Sequence, residues 1–266
     1  MPKVNQGRAI QLYSGLTFIC HGDPTLNNTI EVLTLAELAI AIIPVVVVVA
    51  LLLRWSLDYR HALYAIGRML LQLLLVGYFL GYLFGVTSGW PILAVLIIMV
   101  SASGWISLAM VSDRRRKLFT LALSAIALGG GATLLIVTQG VLHLDPWYAP
   151  RYIVPLAGMI FASAMNSVSL AAERFFAERE RGVDYSTARN IAFRAALIPI
   201  TNSLLAVGLV SLPGMMTGQI LAGTSPAIAA RYQIMVMCMI YGSTGISAGL
   251  FLALVRDVDA AITPTT

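Results

Sequence analysis

Three sets of residues in this chain carry side chains with the chemistry to bind or gate a solute. Ala162, Ser163, Asn166 and Ser167 form a small, polar stripe at helical spacing inside an apolar run. Such a stripe either lines a solute path or seals a helix pair. Arg68 is the one ionisable group well inside an apolar run, and Gln72 four residues on shares its helix face. An intramembrane arginine points to function by default. The alternative is that it snorkels to the headgroups, less than two turns from the end of its helix. The methionines are the third set: Met159, Met165, Met215, Met216, Met235, Met237 and Met239. Thioethers suit soft ions such as Cu(I), yet methionine also fills apolar gaps. No histidine or carboxylate joins them in the apolar runs that hold them, 152–172, 195–230 and 232–255, so the sequence leaves metal ligation unassigned.

The elements that must hold these residues are apolar helices. No charged residue occurs from Gly85 to Ser112, Leu118 to Leu144, Tyr152 to Ala172, Ala195 to Ala230 or Tyr232 to Val255. About 20 apolar residues cross the hydrocarbon core as a helix. With 11% charged residues and a mean hydropathy of +0.86, the chain cannot bury all these runs inside itself. The predicted fold is all-α: a polytopic integral membrane bundle of about seven transmembrane helices near 33–53, 62–84, 91–111, 119–141, 152–172, 195–211 and 233–255. Residues 1–31 read as a retained N-terminal tail, 32–256 as the membrane domain and 257–266 as a C-terminal tail. Cys20 and Cys238 cannot make a disulfide framework.

Charge sets the expected orientation. The segments after the first, third, fifth and last helices hold twelve of the 17 basic residues. Positive residues stay on the cytoplasmic side, which predicts the N-terminus outside and the C-terminus in the cytoplasm. The net charge of +5 is explained by topology and needs no nucleic acid. Gly77, Gly81 and Gly85, and again Gly245 and Gly249, are rows at four-residue spacing. They read as packing surfaces, within the chain or against a second copy.

The segment from 173 to 194 is too charged for hydrocarbon. It carries Glu173, Arg174, Phe175, Phe176, Glu178, Arg179, Arg181, Asp184, Tyr185, Arg189 and Arg194. Its mixture of aromatics and both charge signs suits a cytoplasmic helix docking into a partner's groove, with a solvated loop as the alternative. Further on, Ser211-Leu212-Pro213-Gly214-Met215-Met216-Thr217-Gly218 interrupts an uncharged run. Proline and glycine together break a helix, and broken backbone at membrane depth is tolerated only where protein or a cavity covers it. Pro213, Gly214, Met215 and Met216 therefore join Arg68, Gln72, Met159, Ser163 and Asn166 as candidates for a translocation path or gate.

Missing chemistry narrows the classes. Lys3 and Lys117 are the only lysines and neither follows a glycine-rich turn, so the chain has no P-loop. The span centres lack the carboxylates of ion-coupled antiporters, and no nucleophile–base pair suggests an enzyme.

Arg194-Ala195-Ala196-Leu197-Ile198-Pro199, the run from Val207 to Met216, Tyr232-Gln233-Ile234-Met235-Val236, and Gly67-Arg68 followed by Gln72-Leu73 and Val76-Gly77-Tyr78 resemble the FetB-type ABC permeases. The likeness covers about residues 60–255. It implies the membrane half of an ATP-binding-cassette transporter, a homodimer in the bacterial inner (cytoplasmic) membrane, in contact with lipid. Bacterial members are linked to iron export and plant relatives to aluminium tolerance. It also implies a separate ATPase subunit, which would bind ATP and Mg²⁺ while this chain binds no cofactor, and it makes 173–194 the segment coupled to that ATPase. The family's Gly-Ala-Thr-Pro turn stands here as Gly182-Val183-Asp184-Tyr185. The alternatives are an ABC permease for an organic solute such as a nucleotide sugar, which phosphate-binding arginines facing the path would favour, and a non-transporting membrane scaffold.

Overall fold

A computed structural model describes residues 35–262 except Thr87. The predicted tail at 1–31 lies outside the described residues. The helices are α1 (Leu35–Ala41), α2 (Ile43–Arg54), α3 (Tyr59–Leu83), α4 (Gly89–Ser107), α5 (Arg115–Leu135), α6 (Pro150–Glu180), α7 (Tyr185–Ala206), α8 (Gly214–Leu221) and α9 (Pro226–Ile262). A 3₁₀ segment, Ala109–Arg114, kinked at Val111, joins α4 to α5. A π-helical segment, Ile136–Val141, extends α5. No β-strand is present among the described residues.

Among the described residues, six stretches are long and apolar enough to cross a membrane: Glu37–Arg54, Tyr59–Leu83, Gly89–Ser107, Arg115–Val141, Pro150–Glu180 and Pro226–Arg256. The sixth predicted span, 195–211, falls differently. Its helix begins ten residues earlier, at Tyr185, and stops at Ala206, and it is not among the six.

Two compact units divide the chain. Of the described residues, the smaller comprises 35–70 and 214–229, the larger 71–213 and 230–262. In the smaller unit, α1 and α2 are nearly continuous, with Pro44 in the first turn of α2, where its missing N–H costs nothing. No residue of α2 is buried. Val46, Val47, Val48, Leu51 and Leu53 are exposed, the condition of side chains whose solvent is lipid. Asp58 starts α3 by accepting the His61 N–H at 3.1 Å.

The larger unit holds the core, in which α6 packs on α4, α5 and α7. Its buried surface is built largely from alanine. Ala157, Ala164 and Ala171 recur every second turn of α6, and Ala188, Ala192 and Ala196 every turn of α7, all essentially inaccessible. Small residues at such spacing let helix backbones approach where lipid offers no hydrophobic drive. Ile160, Val168, Phe175, Phe251 and Val255 fill the remaining space.

The closest approach involves Gly129 and Gly130 of α5. A Cβ on Gly129 would stand 2.5 Å from Ser247 Oγ and 2.9 Å from the Ser247 backbone nitrogen on α9. One on Gly130 would stand 2.9 Å from the Phe161 ring on α6. The predicted glycine rows behave otherwise. A methyl added at Gly77 or Gly81 would find no neighbouring atom within 4 Å, and at Gly245 and Gly249 it would meet Leu197 and Phe193 only at ordinary contact distance. The intrachain crossing therefore rests on α5.

Helix α6 has 31 residues, about 46 Å at 1.5 Å per residue, against roughly 30 Å of hydrocarbon. It runs on past the apolar limit at Ala172 to Glu180. The 173–194 segment is thus the end of one helix, a four-residue turn and the start of the next.

Candidate functional site

Helices α6, α7 and α9 of the larger unit line an open cavity of about 400 Å³. Ser163, Asn166, Ser167 and Leu170 face it from α6; Ala196, Pro199, Ile200 and Ser203 from α7; Val207, Ser211 and Pro213 from the chain after α7; and Met237, Ile240 and Thr244 from α9. Each helix contributes at three- and four-residue spacing, one stripe apiece. Ser167 is buried and its Oγ donates to the Thr244 carbonyl at 3.0 Å, tying α6 to α9. Ser203 Oγ donates to the Pro199 carbonyl at 3.0 Å. Pro199 has no N–H for the Ala195 carbonyl one turn back, so the helix is weakened where it lines the cavity.

Beyond the cavity α7 ends in a tight turn. Gly208, at φ +83°, occupies the left-handed region a side chain would strain, and its N–H donates to the Ser211 carbonyl at 3.0 Å. The helix break expected at 211–218 is present, but it opens at Val207, before Ser211 is reached.

Of the path candidates, Ser163, Asn166 and Pro213 come together at this cavity. Met159 is half-buried on α6 and is not a lining residue. Arg68 and Gln72 are exposed on α3. Gly214, Met215 and Met216 open α8 in the smaller unit. The lining residues of α7 and α9 carry a sequence signal of their own, beyond the polar stripe of α6: 196, 199, 200 and 203 repeat at one helical face, as do 237, 240 and 244. Among the described residues, no group of three or more His, Cys, Asp or Glu is placed to hold a metal ion.

The charged segment is a closed helical hairpin. Gly182, at φ +82°, ends α6, and the N–H groups of Gly182 and Val183 return to the carbonyls of Arg179 and Glu178. Asp184 then caps α7, accepting from the Thr187 N–H at 3.0 Å and from the Ser186 hydroxyl. Those hydrogen bonds hold its carboxyl well below the usual carboxylate range. Because the folded pKa is lowered, the cap contributes in full above the ordinary value of about 3.9 and is lost as pH falls through the lowered one. Asp184→Ala should fray the first turn of α7 at neutral pH, seen as faster amide exchange at residues 185–188, while leaving the wild type and variant alike in strong acid.

Inside the hairpin, Glu178 is buried and bonded by Arg174 at 2.7 Å and Arg181 at 3.3 Å. Phe175 packs edge-on against Phe176 and Tyr185. Arg114, from the 3₁₀ segment, pairs with Glu180 at 3.3 Å and lies 4.6 Å over the Phe176 ring. In sequence that basic loop signals topology alone; in the structure it also braces the hairpin. Tyr185 Oη donates to the Leu252 carbonyl of α9 at 2.6 Å. Tyr185→Phe should cost about 1 kcal/mol, measurable as a lowered unfolding midpoint, with the ring stacking retained. Arg189 and Arg194 are exposed on α7.

The model of the family described as "Uncharacterised protein family (UPF0014)" matches residues 35–258. A UPF0014 membrane protein of Synechocystis is 39% identical over 197 residues, 67% of this chain and 74% of the relative. The protein named "Probable iron export permease protein FetB" of Escherichia coli is 33% identical over 231 residues, 81% of this chain and 88% of its own. The Arabidopsis thaliana protein named "ALUMINUM SENSITIVE 3" is 31% identical over 223 residues, 77% of this chain and 80% of its own. No solved structure matches.

Proposed function

This chain belongs to the UPF0014 family of membrane proteins, and we propose that it is the permease subunit of an ABC transporter that exports iron or another metal-related solute, driven by a separate ATPase subunit. The observation that carries this reading is a continuity. The helix that puts Asn166 and Ser167 on the cavity also carries Glu178 and Glu180 at the hairpin, and the helix that puts Ser203 there begins at Tyr185. A partner acting on the hairpin acts on the cavity walls through unbroken backbone. The lack of a P-loop in the sequence and the name of the Escherichia coli relative support it too.

In this reading two copies pair in the inner membrane, with the hairpin and C-terminus in the cytoplasm. Two ATPase subunits, with ATP and Mg²⁺, close against residues 173–194. The closing motion opens a path past Asn166 and Pro213, and no residue of this chain breaks a covalent bond.

Purification of the tagged protein from its native membrane tests the proposal. A P-loop protein in equal amount, with vanadate-sensitive ATP hydrolysis raised by iron, is the expected result. Partner and hydrolysis indifferent to iron would remove the metal cargo. Neither partner nor hydrolysis would remove the transporter.

A further inference from the structure

The cavity walls offer uncharged hydrogen-bonding groups and no metal ligands of ordinary strength. A serine hydroxyl has one donor and two lone pairs. Ser167 and Ser203 each spend that donor on a backbone carbonyl, so only their lone pairs are left for a solute. The Asn166 amide adds a carbonyl oxygen and an NH₂ group, and Ser163, Ser211 and Thr244 add hydroxyls that both donate and accept. A solute that meets such a surface is one whose outside consists of hydrogen-bonding groups such as N–H or O–H.

A bare transition-metal ion does not fit it. Such an ion takes thiolate, imidazole or carboxylate ligands at about 2.0–2.3 Å. The lining has no carboxylate, imidazole or thiolate, and Met237 is its one thioether. The size points the same way. Six waters occupy about 180 Å³ at roughly 30 Å³ each, well inside the 400 Å³ of the cavity. We propose that the cavity takes a metal together with its own shell of water or other donor-bearing ligands, and recognises that shell rather than the ion. This rests on the metal-export reading above and names the form of the cargo. With no opposite charge on the walls, binding is shallow, as a site that must also release its solute requires.

Complexes that cannot shed their ligands test this. The full-length chain in lipid nanodiscs is dialysed to equilibrium against hexaamminecobalt(III), against the dication chloropentaamminecobalt(III), and anaerobically against ferrous ion. Saturable binding of either inert complex is expected. It should weaken roughly fivefold in each of Ser203→Ala and Asn166→Leu, the size of one lost hydrogen bond. Both positions are walls of the cavity with exposed surface, so neither change disturbs the core. Ser124→Ala, on α5 and away from the cavity, should bind as the parent does. Ferrous binding without either inert complex would overturn the proposal, because the shell would then have to be shed. So would binding of no cation, or inert-complex binding indifferent to the two wall variants. The hydrolysis assay on the same preparation separates this from the export reading. Iron-stimulated hydrolysis with no inert-complex binding sinks only the shell, whereas loss of partner and hydrolysis sinks the transporter whatever the dialysis shows.

Discussion

Gly129→Ala should cost the larger unit most of its integrity, whereas Gly131→Ala, two residues away, should leave it intact. The two differ by a single methyl in what it would meet. At Gly129 the methyl lands 2.9 Å from the Ser247 backbone nitrogen and 3.1 Å from Ile246 Cγ2, and backbone cannot rotate away as a side chain can. Helices α5 and α9 must separate. Overpacking costs about 1–3 kcal/mol, sometimes more, and separation here also loosens the buried neighbours Ala125, Ile126 and Ala248. At Gly131 nothing lies within 4 Å, and alanine is the better helix former by about 1 kcal/mol in water. Thermal unfolding in detergent should show a lowered, broadened transition for the first variant and an unchanged or raised midpoint for the second. Ser247→Gly in the Gly129→Ala background removes the 2.5 Å hydroxyl contact but not the backbone one, so rescue should be partial. Equal behaviour of the two alanine variants would mean that this crossing is not the tight one.

Removing Arg174 and Arg181 together should be worse than the sum of the single changes. Glu178 is 7% exposed, while Arg174 and Arg181 are 41% and 65% exposed. Losing one arginine leaves the carboxylate a remaining partner, and pairs this accessible to solvent are each worth under about 1 kcal/mol. Losing both leaves a buried charge unpaired. Breaking a fully buried pair costs about 3–5 kcal/mol; relaxation at a hairpin tip lowers that to about 2–3. Amide exchange across 174–190 should rise sharply in the double variant and only slightly in either single one. Glu178→Gln in the double background should recover much of the protection, since a neutral amide needs no cation. If the proposed coupling holds, the double variant also loses the ATPase subunit on purification. Additive behaviour would show that Glu178 is not dependent on the pair.

How far these features are legible in the sequence follows from the range of the forces that set them. Apolar run length reports the thickness of hydrocarbon, so the helices stand near their predicted places. It does not report where a helix stops. The fifth predicted span ends at Ala172, where charge begins, but α6 continues to Glu180 because Arg174–Glu178 and Arg181–Glu178 pairs suit a helix in water as well. The sixth predicted span runs to 211, past Gly208, whose left-handed backbone closes α7 at Ala206. Ser163 and Asn166 are visible as polar positions at helical spacing. Ser203, Met237 and Thr244 join them through the relative register of three helices separated by up to about 80 residues, which no local pattern encodes. Gly129 and Gly130 do not stand out, because adjacent glycines look like flexibility, while the four-residue rows of α3 look like packing and have no neighbour within 4 Å at Gly77 or Gly81.

Where α5 crosses α6 has a mechanical meaning. Gly130 bears on Ile160 and Phe161, and in the proposed coupling that contact would serve as a fulcrum on a stiff rod. From Phe161 the rod reaches about 28 Å to Glu180 but only about 7 Å to Asn166, at 1.5 Å per residue. Tilting about that point moves the far tip roughly four times as far as the wall beside Asn166. A displacement of about 4 Å at the hairpin becomes about 1 Å at Asn166, by the same rise per residue, with the force multiplied in the same ratio. The arrangement gives up travel for thrust, which would suit the proposed path if it opens by the width of a hydrogen bond.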